Sequence, residues 1–170
     1  MKKISMLVAT LALAGASSAA LAENVTMTFL TADGLGKSAG TISLKDTKGG
    51  LQITPNLKGL PPGEHGFHVH EKGDCSSPDG LSAGGHFNPT GQAHGRFDSA
   101  AHHTGDLPSL RSDAQGMASI DFVSRGLALD QGPNSVVGRG LIVHKDPDDY
   151  TTQPTGNSGA RLACAVITRG

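Results

Sequence analysis

The stretch His65-Gly66-Phe67-His68-Val69-His70 alternates imidazole and apolar side chains, the period-two pattern of a strand with one buried face. Phe67 and Val69 point toward a core. His68 and His70 share the opposite face, about 7 Å apart at Cα, a spacing suited to one metal ion. All eight histidines of the 170-residue chain lie at or beyond position 65, seven of them between 65 and 103. Metal binding is therefore the leading expectation.

Outward from that run, similar short alternations recur. Val25, Met27 and Phe29 share one face, as do Ile42 with Leu44 and Leu51 with Ile53; further candidate strands are 66–71, 116–122, 138–144 and 161–167. Between them the chain is punctuated by 24 glycines and 9 prolines. Short strands separated by turn residues predict an all-β sandwich or barrel. Two stretches break the pattern, 72–112 and 145–160, and are expected to be long functional loops. No repeat, linker or second domain is visible.

The N-terminus carries Lys2 and Lys3, an apolar run over 6–14 and the tripeptide Ala20-Leu21-Ala22, the marks of a secretory signal peptide. The expected division is 1–22 signal peptide and 23–170 mature domain. Both lysines leave with the signal, so the mature formal charge is −3. Neither a nucleic-acid footprint nor a basic membrane patch is implied. No later stretch is long and apolar enough to cross a bilayer. A soluble, exported protein with no membrane partner after cleavage is expected, and the short lysine start with its A-x-A end places it in the periplasm.

Cys75 and Cys164 are the two cysteines. An even count in an exported chain predicts one disulfide. The competing possibility, two thiolate metal ligands, has no C-x-x-C pair behind it.

The histidines sort into two sets. His68 and His70 on one strand, His144 at the end of the apolar run Leu141-Ile142-Val143, and His86 would make an all-imidazole site, which suits copper, with zinc, iron and nickel open on ligand type alone. His86, His94, His103 and Asp106 offer three imidazoles and a carboxylate, enough to close a tetrahedral zinc site. A filled shell leaves no position for a catalytic water, so this second set is expected to be structural or tuning.

The motifs H-G-F-H-V-H (65–70), G-G-H-F-N-P (84–89), H-x-G-D (103–106), G-R-G-L-I-V-H (138–144) and G-N-S-G-A-R-L-A-C (156–164) together resemble the copper,zinc superoxide dismutases, in particular their secreted bacterial members. The likeness runs through essentially the whole mature chain in order. It implies one copper and one zinc ion per subunit and superoxide as substrate, disproportionated to dioxygen and hydrogen peroxide. It assigns His68, His70, His86 and His144 to copper, and His86, His94, His103 and Asp106 to zinc, with His86 as bridging imidazolate. It also pairs Cys75 with Cys164 and sets Arg161 at the mouth of the copper site to hold the anion. Asp148, with Asp149 as the alternative, links a copper-ligand histidine to a zinc-ligand histidine. His65 is expected to bond to backbone and His102 to face solvent. Lys72 is a candidate for steering the anion, or a surface lysine without a role.

The fold expected is an eight-stranded antiparallel Greek-key β-barrel or sandwich with two long loops, as a monomer or homodimer. The loop after His144 is shorter than in eukaryotic members, so their guiding charges do not transfer. Two other functions compete with the enzyme. A metal carrier would sooner use exposed Met and Cys than four enclosed imidazoles, and a zinc hydrolase conflicts with the filled second set.

Overall fold

The computed structural model describes residues 22–170; the expected signal peptide, all but its last residue, lies outside them. Ten strands follow one another: β1 Ala22–Thr31, β2 Gly34–Thr47, β3 Gly50–Leu57, β4 Gly63–His65, β5 Phe67–His70, β6 Leu110–Ser112, β7 Ala118–Ser119, β8 Phe122–Ser124, β9 Gly140–His144 and β10 Arg161–Val166. One short 3-10 turn, Leu81–Ala83, interrupts the long connection between β5 and β6. There is no α-helix among the described residues.

Eight strands form one antiparallel sheet in the order β5-β9-β10-β1-β2-β3-β7, with β8 also paired to β3. β4 and β6 make a separate two-stranded ladder. After β3 the chain crosses to the far edge as β5, and after β8 it crosses again to lie beside β5 as β9. This is the over-and-back connectivity of a Greek key. The sheet curls around Met27, Ile42, Leu44, Leu51, Ile53, Leu57, Phe67, Val69, Leu141 and Val143, all fully buried.

The alternation in β5 is as expected: Phe67 and Val69 join this core while His68 and His70 face the other way. β9 does likewise, sending Leu141 and Val143 inward and leaving Ile142 in a second small cluster with Cys75, Ala83 and Cys164. That outer cluster seats the first long loop on the sheet, and the Cys75–Cys164 disulfide closes it with a Cα separation of 5.9 Å.

Two expectations about strands are corrected. The run 116–122 is not one strand. Ile120 and Asp121 fall between β7 and β8, across from the stretch of β3 that contains Pro55, which has no N–H to give a ladder; the Asp121 carboxylate accepts hydrogen bonds from Gln52 Nε2 and Thr54 Oγ1 of β3. The candidate strand 66–71 is shorter than expected, running from Phe67 to His70, and Gly66 separates it from β4 in the other sheet. The Gly66 N–H donates to Asp146 O at 2.9 Å, and a Cβ there would lie 2.5 Å from Ser158 Oγ. The loop 72–112 is not wholly irregular either, since its end forms β6, paired with β4 in the register Gly63↔Ser112.

Candidate metal centre

Backbone bonds lay the first loop along the imidazole face of β5. Val69 N–H donates to Gly105 O, Phe87 N–H to Val69 O and Gly105 N–H to Phe87 O, each at 2.8 Å. A Cβ on Gly105 would sit 2.3 Å from Val69 O, so only glycine lets the two backbones approach this closely. His86 is thereby placed opposite His70 and Asp106 opposite His68.

Two groups of four buried donors result, His68-His70-His86-His144 and His86-His94-His103-Asp106. In each, the donor atoms lie within 4.8 Å of one another, and His86 belongs to both.

Hydrogen bonds decide which atom of each ring faces its group. His68 Nε2 is 2.7 Å from Asp148 Oδ2, leaving Nδ1. His70 Nδ1 lies 2.9 Å from Gly84 O and His144 Nδ1 3.3 Å from Gly159 O, leaving the Nε2 atoms, which are 3.4 Å apart. His86 Nδ1 is 2.9 Å from Asp106 Oδ1, leaving Nε2 toward the first group. In the second group, the Nδ1 atoms of His86, His94 and His103 stand 2.9, 3.1 and 3.3 Å from Asp106 Oδ1. Ligand atoms about 2.0 Å from a tetrahedral ion are separated by roughly 3.3 Å, close to these three separations.

His68 Nδ1, His86 Nε2 and His94 Nδ1 are buried with no hydrogen-bond partner. An unpaired buried polar atom costs about 1–3 kcal/mol. Three of them aimed into two four-donor groups fit metal ions as their partners.

Electrostatics favour neutral imidazoles at His68, His70, His86 and His144 and anionic carboxylates at Asp106 and Asp148. Burial pushes the His86 ring down to about 4 and that of His144 to about 3, and lowers His70 and His68 as well. Burial would raise Asp106, but the imidazoles of His103, His86 and His94 gathered around it outweigh burial and hold the carboxyl well below its usual range. Asp148 is lowered in the same way, bonds from His68 and His94 prevailing over burial. His94, between both carboxylates, is raised to about 9 although burial opposes it.

Asp148 is the carboxylate that joins the groups, reaching His68 through Oδ2 and His94 Nε2 through Oδ1 at 2.9 Å. Asp149 is exposed and instead accepts the Thr151 and Thr152 amides.

His65 bonds to backbone, with Nδ1 2.8 Å from His144 O and Nε2 2.8 Å from Pro61 O. His102 is half-buried, its Nδ1 2.7 Å from His103 O, and it lines an open surface depression.

The two groups differ in access. His144 and Arg161 line an open depression of about 560 Å³ between the two long loops. None of the other metal-group residues lines it, and neither does Lys72. Arg161 is clamped by its Nη1 and Nη2 donating to Gly80 O at 2.6 Å and Gly84 O at 2.7 Å. The Gly84 carbonyl thus orients both Arg161 and His70.

Two features have no counterpart in the expectations above. Gln153 grips the His94 backbone from both sides, accepting its N–H and donating to its C=O. Tyr150 ties the second loop to the first through Ser109 Oγ at 2.7 Å. Neither belongs to a metal-ligand type or a spaced motif, so only the folded loops expose them.

Comparison with known proteins places this geometry in context. The family model for copper/zinc superoxide dismutase (SODC) matches residues 38–167. The chain is 40% identical to superoxide dismutase [Cu-Zn] 2 of Salmonella typhimurium, over 98% of this chain and 99% of that protein. It is 39% identical to superoxide dismutase [Cu-Zn] 2 of Aquifex aeolicus, over 78% and 80%. Among solved structures it is similar to the Cu/Zn superoxide dismutase of Brucella abortus, with TM-score 0.74, 36% identity and coverage of 86% and 99%. It is also similar to a SOD-like protein from Bacillus subtilis, with TM-score 0.77, 37% identity and coverage of 85% and 97%. A fold alone does not fix an activity; here the two complete donor groups accompany it.

Proposed function

The chain belongs to the copper/zinc superoxide dismutase family, an oxidoreductase acting on superoxide with copper and zinc as cofactors, and on that basis we propose how its own residues divide the work. His68, His70, His86 and His144 would hold copper; His86, His94, His103 and Asp106 would hold zinc; and His86, shared by both groups, would serve both ions as an imidazolate. The observation that carries this reading is His86 itself, with Nδ1 beside Asp106 in one group and a buried, unpartnered Nε2 in the other.

When bound, copper supplies one-electron exchange between Cu(II) and Cu(I), which zinc cannot, so that two superoxide anions and two protons become dioxygen and hydrogen peroxide. With a cation held at its Nδ1, His86 would lose its second ring proton more readily. Its Nε2 then serves as the base that takes up a proton in one half-cycle and releases it toward product in the other. Arg161, fixed by two carbonyls at the open end of the copper group, has further N–H donors to orient the anion, and a guanidinium keeps its charge at any working pH. Asp148 holds His68 and His94 in the tautomers that leave both Nδ1 atoms free for metal. A disulfide favours an oxidising compartment, which agrees with export of 23–170 to the periplasm after loss of 1–22.

The bridge is tested by replacing zinc with Co(II) in copper-loaded protein. A shared imidazolate couples the two spins and quenches the Cu(II) resonance, whereas an unchanged copper spectrum would show separate sites.

The bridging carboxylate gives a second expectation. Asp148→Ala lowers zinc affinity by about 10- to 100-fold in a chelator competition, whereas Asp149→Ala leaves it unchanged; equal effects would remove the distinction between them.

A further inference from the structure

The backbone of His94 gets less help from the fold than those of the other residues assigned to zinc. His86 and Asp106 sit in bridges opposite His70 and His68 of β5, and His103 O accepts the Asp106 N–H at 3.0 Å. His94 lies in the irregular stretch 91–96, and among the described residues no backbone group pairs with its N–H or C=O. One side chain of the other long loop takes both. Gln153 Oε1 accepts the His94 N–H at 2.8 Å, and Gln153 Nε2 donates to His94 O at 2.9 Å. A residue in a hydrogen-bonded pair of antiparallel strands is held by the same two bonds. A primary amide is neutral and offers a donor and an acceptor side by side, so Gln153 stands in for a strand neighbour.

The His94 ring is fixed separately. Its Nε2 lies 2.9 Å from Asp148 Oδ1, and its buried, unpartnered Nδ1 lies 3.1 Å from Asp106 Oδ1. Asp148 sets the tautomer and turn of the ring but not the position of the chain that carries it. We propose that Gln153 is a positioning residue for the zinc group: by clamping both backbone polar groups of His94 it keeps Nδ1 in place and slows loss of the ion held there. The inference rests on the assignment of zinc to His86, His94, His103 and Asp106. Partners one step removed from a metal change its affinity about 10- to 100-fold, and the lower end applies here because Asp148 still holds the ring.

Gln153→Met keeps the length of the side chain and removes both bonds. Gln153 is exposed, so the core loses nothing. In zinc-loaded, copper-free protein the variant should release zinc to a chelator about tenfold faster. Ser109→Ala breaks another tie between the two loops, Ser109 Oγ to Tyr150 Oη at 2.7 Å, and touches no ligand. It should leave the release rate unchanged.

A second readout is residue-specific. In the same zinc-loaded protein, hydrogen exchange at the His94 amide should quicken about tenfold in Gln153→Met, while the Gly105 amide, paired with Phe87 O, keeps its rate; a general loosening of the first loop would raise both. Zinc release as slow as in the unaltered protein, equal acceleration by Ser109→Ala, or both amides rising together would overturn the role of Gln153. If zinc added to the unaltered protein left the His94 ring resonances unmoved, the zinc assignment in the proposed function would fall instead.

Discussion

His144→Ala is expected to abolish copper-dependent superoxide consumption while leaving the zinc content of the protein essentially intact. His144 closes β9, its Nε2 lies 3.4 Å from His70 Nε2 and its Nδ1 meets Gly159 O. It has no place in the group around Asp106. Of the four residues assigned to copper it alone also lines the open depression, so the vacated volume can fill with water and the structural cost stays small. Partners one step removed from a metal already cost about 10- to 100-fold when lost. Loss of a direct ligand should therefore lower turnover by more than about a hundredfold. Metal analysis beside the rate measurement separates the outcomes, and a variant that retains both copper and full activity would sink the assignment of His144.

Cys75→Ser should produce the largest loss of stability. The bridge closes a sequence separation of 89 residues, for which chain entropy gives about 4–5 kcal/mol in a model-dependent estimate. For a domain of this size each kcal/mol shifts the melting temperature by about 2–4 °C, so a fall of about 10 °C is expected even if a good part of that stabilisation is not realised. The bridge also has a local role. It anchors the segment whose Gly80 and Gly84 carbonyls hold Arg161 and whose Gly84 carbonyl holds His70. Activity at sub-saturating copper should fall with stability. An unchanged melting temperature under non-reducing conditions would contradict this account of the bridge.

Much of the fold and of the metal centre is legible in the sequence, for identifiable reasons. The alternation Phe67-His68-Val69-His70 has one solution, a strand with core on one side and ligands on the other, and β5 adopts it. Leu141-Ile142-Val143-His144 is similarly constrained. The imidazole donors are rare residue types whose clustering survives without knowledge of the loops between them. Short strands are harder: pairing by Asp121 with Gln52 and Thr54, and the division at Gly66, depend on partners far along the chain. The residues that aim the ligands are hidden for the same reason. Gln153 acts through contacts with the His94 backbone, and Gly84 through a carbonyl, a role that its place at the head of the motif 84–89 does not reveal.

The measurement that tests the central claim most directly is superoxide decay after pulse radiolysis, recorded on the mature protein at a series of copper loadings with zinc held full. The arrangement of His68, His70, His86 and His144 predicts a decay rate that rises in proportion to bound copper and vanishes in the zinc-only protein. Full occupancy of both metals with no acceleration over the uncatalysed decay would contradict it and leave a metal-binding protein without turnover.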